Sequence, residues 1–93
     1  MTSAGTRVCA IRVLAAIETW RRAGAVEPAV NAEGMPVDGK AWLAWHSDEF
    51  LPALFTMQEA IGELNSALNR DTPVHPLLVK VDAENILAGK RVR

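Results

Sequence analysis

Several residue types are scarce in this chain of 93 residues, and each shortage excludes a class of structure or function. There is no tyrosine and there are only two phenylalanines, which argues against a sheet-dominated fold, because strands favour aromatic residues. A single cysteine cannot form an intramolecular disulfide, so we expect a buried, reduced thiol. The formal net charge of −1 lacks the basic excess of a general nucleic-acid-binding protein.

Long apolar runs are also missing. None approaches the roughly 20 residues of a membrane span, and the N-terminal apolar segment is interrupted by Arg12 and followed by Glu18, unlike a signal peptide. We therefore expect a cytoplasmic protein that does not contact membranes. The abundance of alanine, and of arginine over lysine, is typical of a GC-rich bacterium or its phage.

The chain length predicts one small domain, residues 1–93, with a modest core to which a second copy would add apolar burial. Within it, apolar residues recur every three or four positions over residues 6–24, as on one side of an α-helix. Thr6 is predicted to cap this helix and Gly24 to end it. Its predicted buried stripe consists of Cys9, Val13, Ala16, Trp20 and Ala23.

A second stripe predicts a helix over residues 48–70. Ser47 or Asp48 is expected to cap it, and Pro52 must lie within its first turn. Arg70 is expected to point away from the buried side. The predicted stripe consists of Phe50, Leu54, Met57, Ile61, Leu64 and Leu68.

The segments outside these helices are less regular. In the connector, residues 25–47, the dipeptide Asp38-Gly39 favours a tight turn between short strands near 28–37 and 40–45. The alternative is that Lys40–His46 forms one or two helical turns capped by Asp38. In the C-terminal segment, residues 71–93, the pattern favours a strand at 77–81 and a short helix, Ala83–Ala88, capped by Asp82 and closed by Gly89.

Together these elements predict a mainly α fold. It is an antiparallel two-helix hairpin with a turn-containing connector and a short C-terminal strand and helix. The fold would be α+β if the strand at 77–81 paired with 40–45. Residues 1–24 carry four arginines against one acid, whereas residues 25–70 carry seven acids against two bases, so the two long helices are expected to attract each other.

No motif indicates catalysis. His46, Asp48 and Glu49, with His75 or Cys9, could be imagined as a metal site, but the spacing matches no zinc pattern and helix capping explains the acids better. Cys9 lacks any sequence resembling an oxyanion loop. We therefore predict no catalytic residue, no metal site and no cofactor.

The residues outside the stripes indicate where a partner could bind. Trp42 and Trp45 either cover a thin core or anchor a partner, since tryptophan is enriched at binding hot spots. We predict a non-enzymatic protein-interaction module that binds itself, as a homodimer, or another protein. The predicted contact surface consists of Trp42, Trp45, Leu51 and Phe55, with Glu59 and Glu63 at its rim.

Two other functions remain open from the sequence. A small regulatory nucleic-acid-binding protein would use the basic residues at the end of the first helix and in the tail. Those candidate contacts are Arg21, Arg22, Lys90, Arg91 and Arg93. An enzyme would have a site between subunits around His46, His75 and Glu49.

Overall fold

The computed structural model describes residues 3–70 and 75–90, which form helices joined by turns. The helices are α1 (Ala4–Ala25), α2 (Gly39–Trp45), α3 (Leu51–Ala67) and α4 (Pro76–Leu87). A π-helical turn, His46–Phe50, joins α2 to α3. The described residues are 75% helical and contain no strand, which confirms the predicted mainly α fold.

Both ends of α1 differ slightly from the prediction. Ser3, not Thr6, caps the helix, because its Oγ accepts a hydrogen bond from the backbone N–H of Thr6 at 3.1 Å. The two residues are three apart, so Thr6 becomes part of the first turn instead of preceding it. At the other end Gly24 lies inside the helix, and Val26 is the C-cap residue.

Asp38 caps α2. Its Oδ1 accepts hydrogen bonds from the backbone N–H groups of Lys40 and Ala41, each at 3.1 Å. The favoured hairpin, with strands near 28–37 and 40–45, is therefore wrong, and the helical alternative is confirmed. A type I′ hairpin turn needs positive φ at both central residues, whereas φ at Asp38 is −121°.

The connector before α2 has structure of its own. Within the described residues it contains one isolated β-bridge, between Val30 and Pro36. The side chain of Asn31 shapes the turn, because its Oδ1 accepts hydrogen bonds from the N–H groups of Glu33 at 3.0 Å and Met35 at 2.9 Å. This is the local bonding expected of asparagine in a turn.

The π turn explains how a proline is accommodated inside a helical stretch. Pro52 has no N–H and its ring crowds the carbonyl four residues earlier, so a regular α-helix cannot continue through it. The N–H of Leu51 instead bonds to the carbonyl of His46, five residues back. Ser47 and Asp48 therefore lie inside the π turn, and the predicted cap at these residues is wrong.

The strand predicted at 77–81 is wrong, because this segment is the first half of α4. Pro76 occupies the first helical turn, where its missing N–H costs nothing, and His75 Nδ1 accepts a hydrogen bond from the N–H of Leu77 at 3.1 Å. Asp82 is an interior residue of α4 and not a cap. This segment is helical and not extended because its fully buried residues are spaced as on one side of a helix: Val79, Ala83 and Ile86.

Left-handed residues end both α3 and α4. Asn69 follows α3 with φ of 57°, and Gly89 follows α4 with φ of 73°. After α4, the N–H of Lys90 bonds to the carbonyl of Asn85 at 2.8 Å, which completes a Schellman motif. The predicted closing role of Gly89 is thus confirmed.

A buried ion pair connects the end of α3 to α4. Arg70 Nη1 donates to Asp82 Oδ2 at 2.7 Å, and the side chain of Asp82 is 1% exposed. The expectation that Arg70 points away from the protein is therefore wrong. Its partner lies 12 residues further along the chain, which the helical periodicity of residues 48–70 could not show.

The core is formed where α1 packs against both α3 and α4. Arg12, early in α1, pairs with Glu63, late in α3, at 3.4 Å. Late in α1, the carbonyl of Ala23 accepts a hydrogen bond from Trp45, which precedes α3. The early part of α1 thus contacts the late part of α3, and the late part of α1 contacts the residues just before α3. The buried core consists of Ala10, Val13, Ala16, Ile17, Met57, Ala60, Leu64, Val79, Ala83 and Ile86.

Most members of the two predicted stripes face this core with different degrees of burial, but Ala23 is not among the core residues and Phe50 lies in the π turn beside Trp45. Val13, Ala16, Met57 and Leu64 are buried. The larger or terminal members of the stripes pack against the core while partly exposed. They are Cys9, Trp20, Leu54, Ile61 and Leu68.

The molecule is long and narrow. It measures 51 × 23 × 22 Å, with a radius of gyration of 16.0 Å. A compact domain of this length would have a radius of gyration of about 12 Å. The core is therefore thin. Within the described residues, no helix is both long and apolar enough to cross a bilayer.

Candidate interaction surfaces

Four rings form an aromatic cluster, Trp42, Trp45, His46 and Phe50, around the π turn. The His46 ring stacks between Trp42, with centroids 4.8 Å apart, and Phe50, with centroids 5.8 Å apart. Trp45 contacts Phe50 at a centroid distance of 5.1 Å. Spacings of four residues bring 42, 46 and 50 to one side of the helical stretch.

Hydrogen bonds tie this cluster to the end of α1. Trp45 is 8% exposed and its Nε1 donates to the carbonyl of Ala23 at 2.8 Å. Trp42 is half-buried and its Nε1 donates to Glu27 Oε2 at 2.9 Å. Both indole N–H groups are thus used within the chain, and the two tryptophans hold the connector against the helices.

These two bonds give a matched pair of variants. Trp45→Phe is expected to lower the free energy of unfolding by about 1–3 kcal/mol, because it leaves the carbonyl of Ala23 without its donor in a partly buried place. Trp42→Phe, whose lost bond is exposed, is expected to cost less. Urea denaturation followed by circular dichroism measures both. Equal losses would contradict the conclusion that the Trp45 hydrogen bond is the more buried of the two.

The remaining predicted contact residues lie on α3 and are divided between two places. Phe55 is 58% exposed, and Leu51, one turn earlier, is half-buried. Among the ring contacts of the described residues, Phe55 has none with the aromatic cluster. Glu59 and Glu63 instead line a groove between α3 and α1. The structure therefore does not unite the predicted surface.

The groove between α1 and α3 has a floor of small side chains and a charged rim. Its volume is about 350 Å³. Arg12 and Glu63 form an exposed ion pair across it at 3.4 Å, an arrangement that contributes about 0–1 kcal/mol. This pair is one instance of the expected attraction between a basic first helix and an acidic second one. The floor consists of Ala15, Ala16, Thr19, Thr56 and Ala60.

One apolar surface was not predicted from the sequence. Leu77, Leu78 and Val81 form what we call the α4 outer face, and they are 62%, 44% and 48% exposed. These large apolar side chains are exposed although the opposite side of α4, with Val79, Ala83 and Ile86, is fully buried.

Of the candidate nucleic-acid contacts in the described residues, the two arginines of α1 form ion pairs and the lysine after α4 is exposed. Arg21 and Arg22 both bond to Glu18, at 3.3 and 3.1 Å. The guanidinium groups of Arg21 and then Arg22 lower the pKa of Glu18, so these pairs persist to a lower pH than an isolated glutamate would allow. Lys90 is exposed. The other two candidates, Arg91 and Arg93, lie outside the described residues.

Three of the residues considered for metal binding or catalysis have structural roles. His46 is stacked in the aromatic cluster, and His75 caps α4. Cys9 is partly buried beside the core. Asp48 and Glu49 border a cleft of about 570 Å³ between the connector and α2. In residues 3–70 and 75–90, no three His, Cys, Asp or Glu side chains are grouped to hold a metal ion.

Comparison of the chain with family models, with curated proteins and with solved structures found no match.

Proposed function

We propose that this protein is a non-enzymatic protein-interaction module that works as a homodimer. The observation that carries the proposal is the exposure of large apolar side chains on regular helices, above all on α4. Such side chains are ordinary when scattered singly, but neighbouring ones mark interaction sites. On α4 three of them lie within five residues, 77–81.

The shape of the molecule supports association. A rod 51 Å long and about half as wide encloses a thin core. Small domains bury a smaller fraction of their surface than large ones, and association with a second copy would add apolar burial and stabilise the folded chain. Homodimers with two-fold symmetry are the commonest protein assemblies.

Two observations support a binding role over the alternatives. The histidines that a catalytic site would use are engaged in stacking and capping. Arg21 and Arg22 share the carboxylate of Glu18, which leaves one net positive charge for contact with nucleic acid. Retention on heparin that weakens with salt would instead support the nucleic-acid alternative.

The oligomeric state tests the proposal. Light scattering after size-exclusion chromatography is expected to give twice the 10.1 kDa mass of one chain. The dimer fraction should rise with protein concentration, as mass action requires. A single-chain mass at every concentration up to the solubility limit would contradict the proposal.

A further inference from the structure

We infer that two copies associate through their α4 outer faces, with the two α4 helices antiparallel across a two-fold axis. This inference rests on the proposed homodimer and names its surface. The second copy is the occupant that the charges on α4 favour.

The apolar side chains of the α4 outer face are spaced along one side of the helix, so another helix can pack against them. Leu77 and Val81 are one turn apart, so they stand on the same side of α4, opposite the buried Val79 and Ile86. Ala88, three turns after Leu77, is exposed on this side as well. In an antiparallel pair the large Leu77 of one copy lies over the small Ala88 end of the other.

The charged side chains beside the α4 outer face favour a second copy of the chain as the partner. Lys80 and Glu84 are exposed, one turn apart, along one edge of the α4 outer face. Neither forms an ion pair with another described residue. In an antiparallel pair centred between them, residues equally far from the centre meet, so Lys80 of each copy faces Glu84 of the other. A parallel two-fold pair would place the Lys80–Glu84 edges of the two copies on opposite sides of the contact, so these charges could not pair.

Charge variants test this pairing. Lys80→Glu and Glu84→Lys are each expected to weaken self-association about tenfold, because two attractive pairs become repulsive. An equimolar mixture of the two variants is expected to recover association, because the acidic edge of one variant faces the basic edge of the other. The double variant Lys80→Glu/Glu84→Lys should likewise dimerise as the unmodified protein does. Sedimentation velocity over a concentration series measures all four.

Substitutions of exposed apolar residues test whether the α4 outer face, and not another apolar surface, forms the dimer contact. Leu77→Ser is expected to weaken the dimer, whereas Phe55→Ser, which removes an equally exposed apolar side chain from α3, should leave it intact. All the substituted side chains are exposed, and circular dichroism checks that each variant keeps its helices.

The outcomes are distinguishable. A dimer that no α4 variant weakens, or that only Phe55→Ser weakens, overturns the inference while the proposed homodimer stands. Loss with Leu77→Ser but no recovery in the mixture overturns the antiparallel pairing. An unmodified protein that remains a single chain overturns the homodimer and this inference together.

Discussion

Replacing Asp82 with alanine is expected to lower the free energy of unfolding by about 3–5 kcal/mol. The carboxylate is buried and accepts the hydrogen bond of Arg70 at 2.7 Å. Two further nitrogens of Arg70, Nε and Nη2, are buried without a hydrogen-bond partner among the described residues. Removing the carboxylate therefore leaves a cation in a largely buried place, beside a void at the junction of α3 and α4. We expect α4 to detach first.

A double variant provides the control. Replacing both partners by apolar residues, as in Arg70→Met/Asp82→Leu, removes the unpaired charge and is expected to recover most of the loss. Urea denaturation followed by circular dichroism measures both proteins. A loss below about 1 kcal/mol for Asp82→Ala would show that the pair contributes no more than a surface salt bridge.

Replacing Leu64 with alanine is expected to cost about 2–5 kcal/mol. Leu64 is 0% exposed and belongs to the core between α1, α3 and α4. The cost has two parts: the apolar surface no longer buried and the cavity that the rigid helices cannot close. Because a domain of this size has about 5–14 kcal/mol of stability in total, the variant should melt well below the unmodified protein.

Phe55→Ala on the same helix is the matched control. Phe55 is larger than Leu64, but it is 58% exposed and lies opposite the buried side of α3. Its removal is expected to cost less than about 1 kcal/mol. Thermal denaturation of the two variants compares them directly, and a similar loss from both would mean that the buried side of α3 has been assigned wrongly.

The helices that could be predicted are those with a long periodic stripe. Val13 and Ala16 in α1, and Met57 and Leu64 in α3, are buried as their spacing indicates. Burial of this kind is a local property of a helix, so periodicity alone reveals it. The start of α1 could not be fixed from the sequence, because Ser3 and Thr6 are both residues that cap helices.

The features that could not be predicted depend on contacts far apart in the chain. The apolar run at 77–81 fits a strand or a buried helix equally well, and only its packing against α1 decides for the helix. The pairing of Arg70 with Asp82 follows from that packing. The α4 outer face was hidden for the same reason, since a strand at 77–81 would place Leu77 and Val81 on the same face as Val79, whereas in the helix the buried Val79 lies opposite them.

The π turn has a consequence for insertions and deletions. Each residue of an α-helix turns the chain by about 100°, so one extra residue in a turn changes the phase of everything before it relative to everything after. Deleting one residue within His46–Phe50 would remove the π turn that accommodates Pro52. It would also rotate Trp42 and Trp45 by about a quarter of a revolution, away from Glu27 and Ala23. The number of residues in the π turn therefore sets how far the connector is rotated about the helix axis relative to the core.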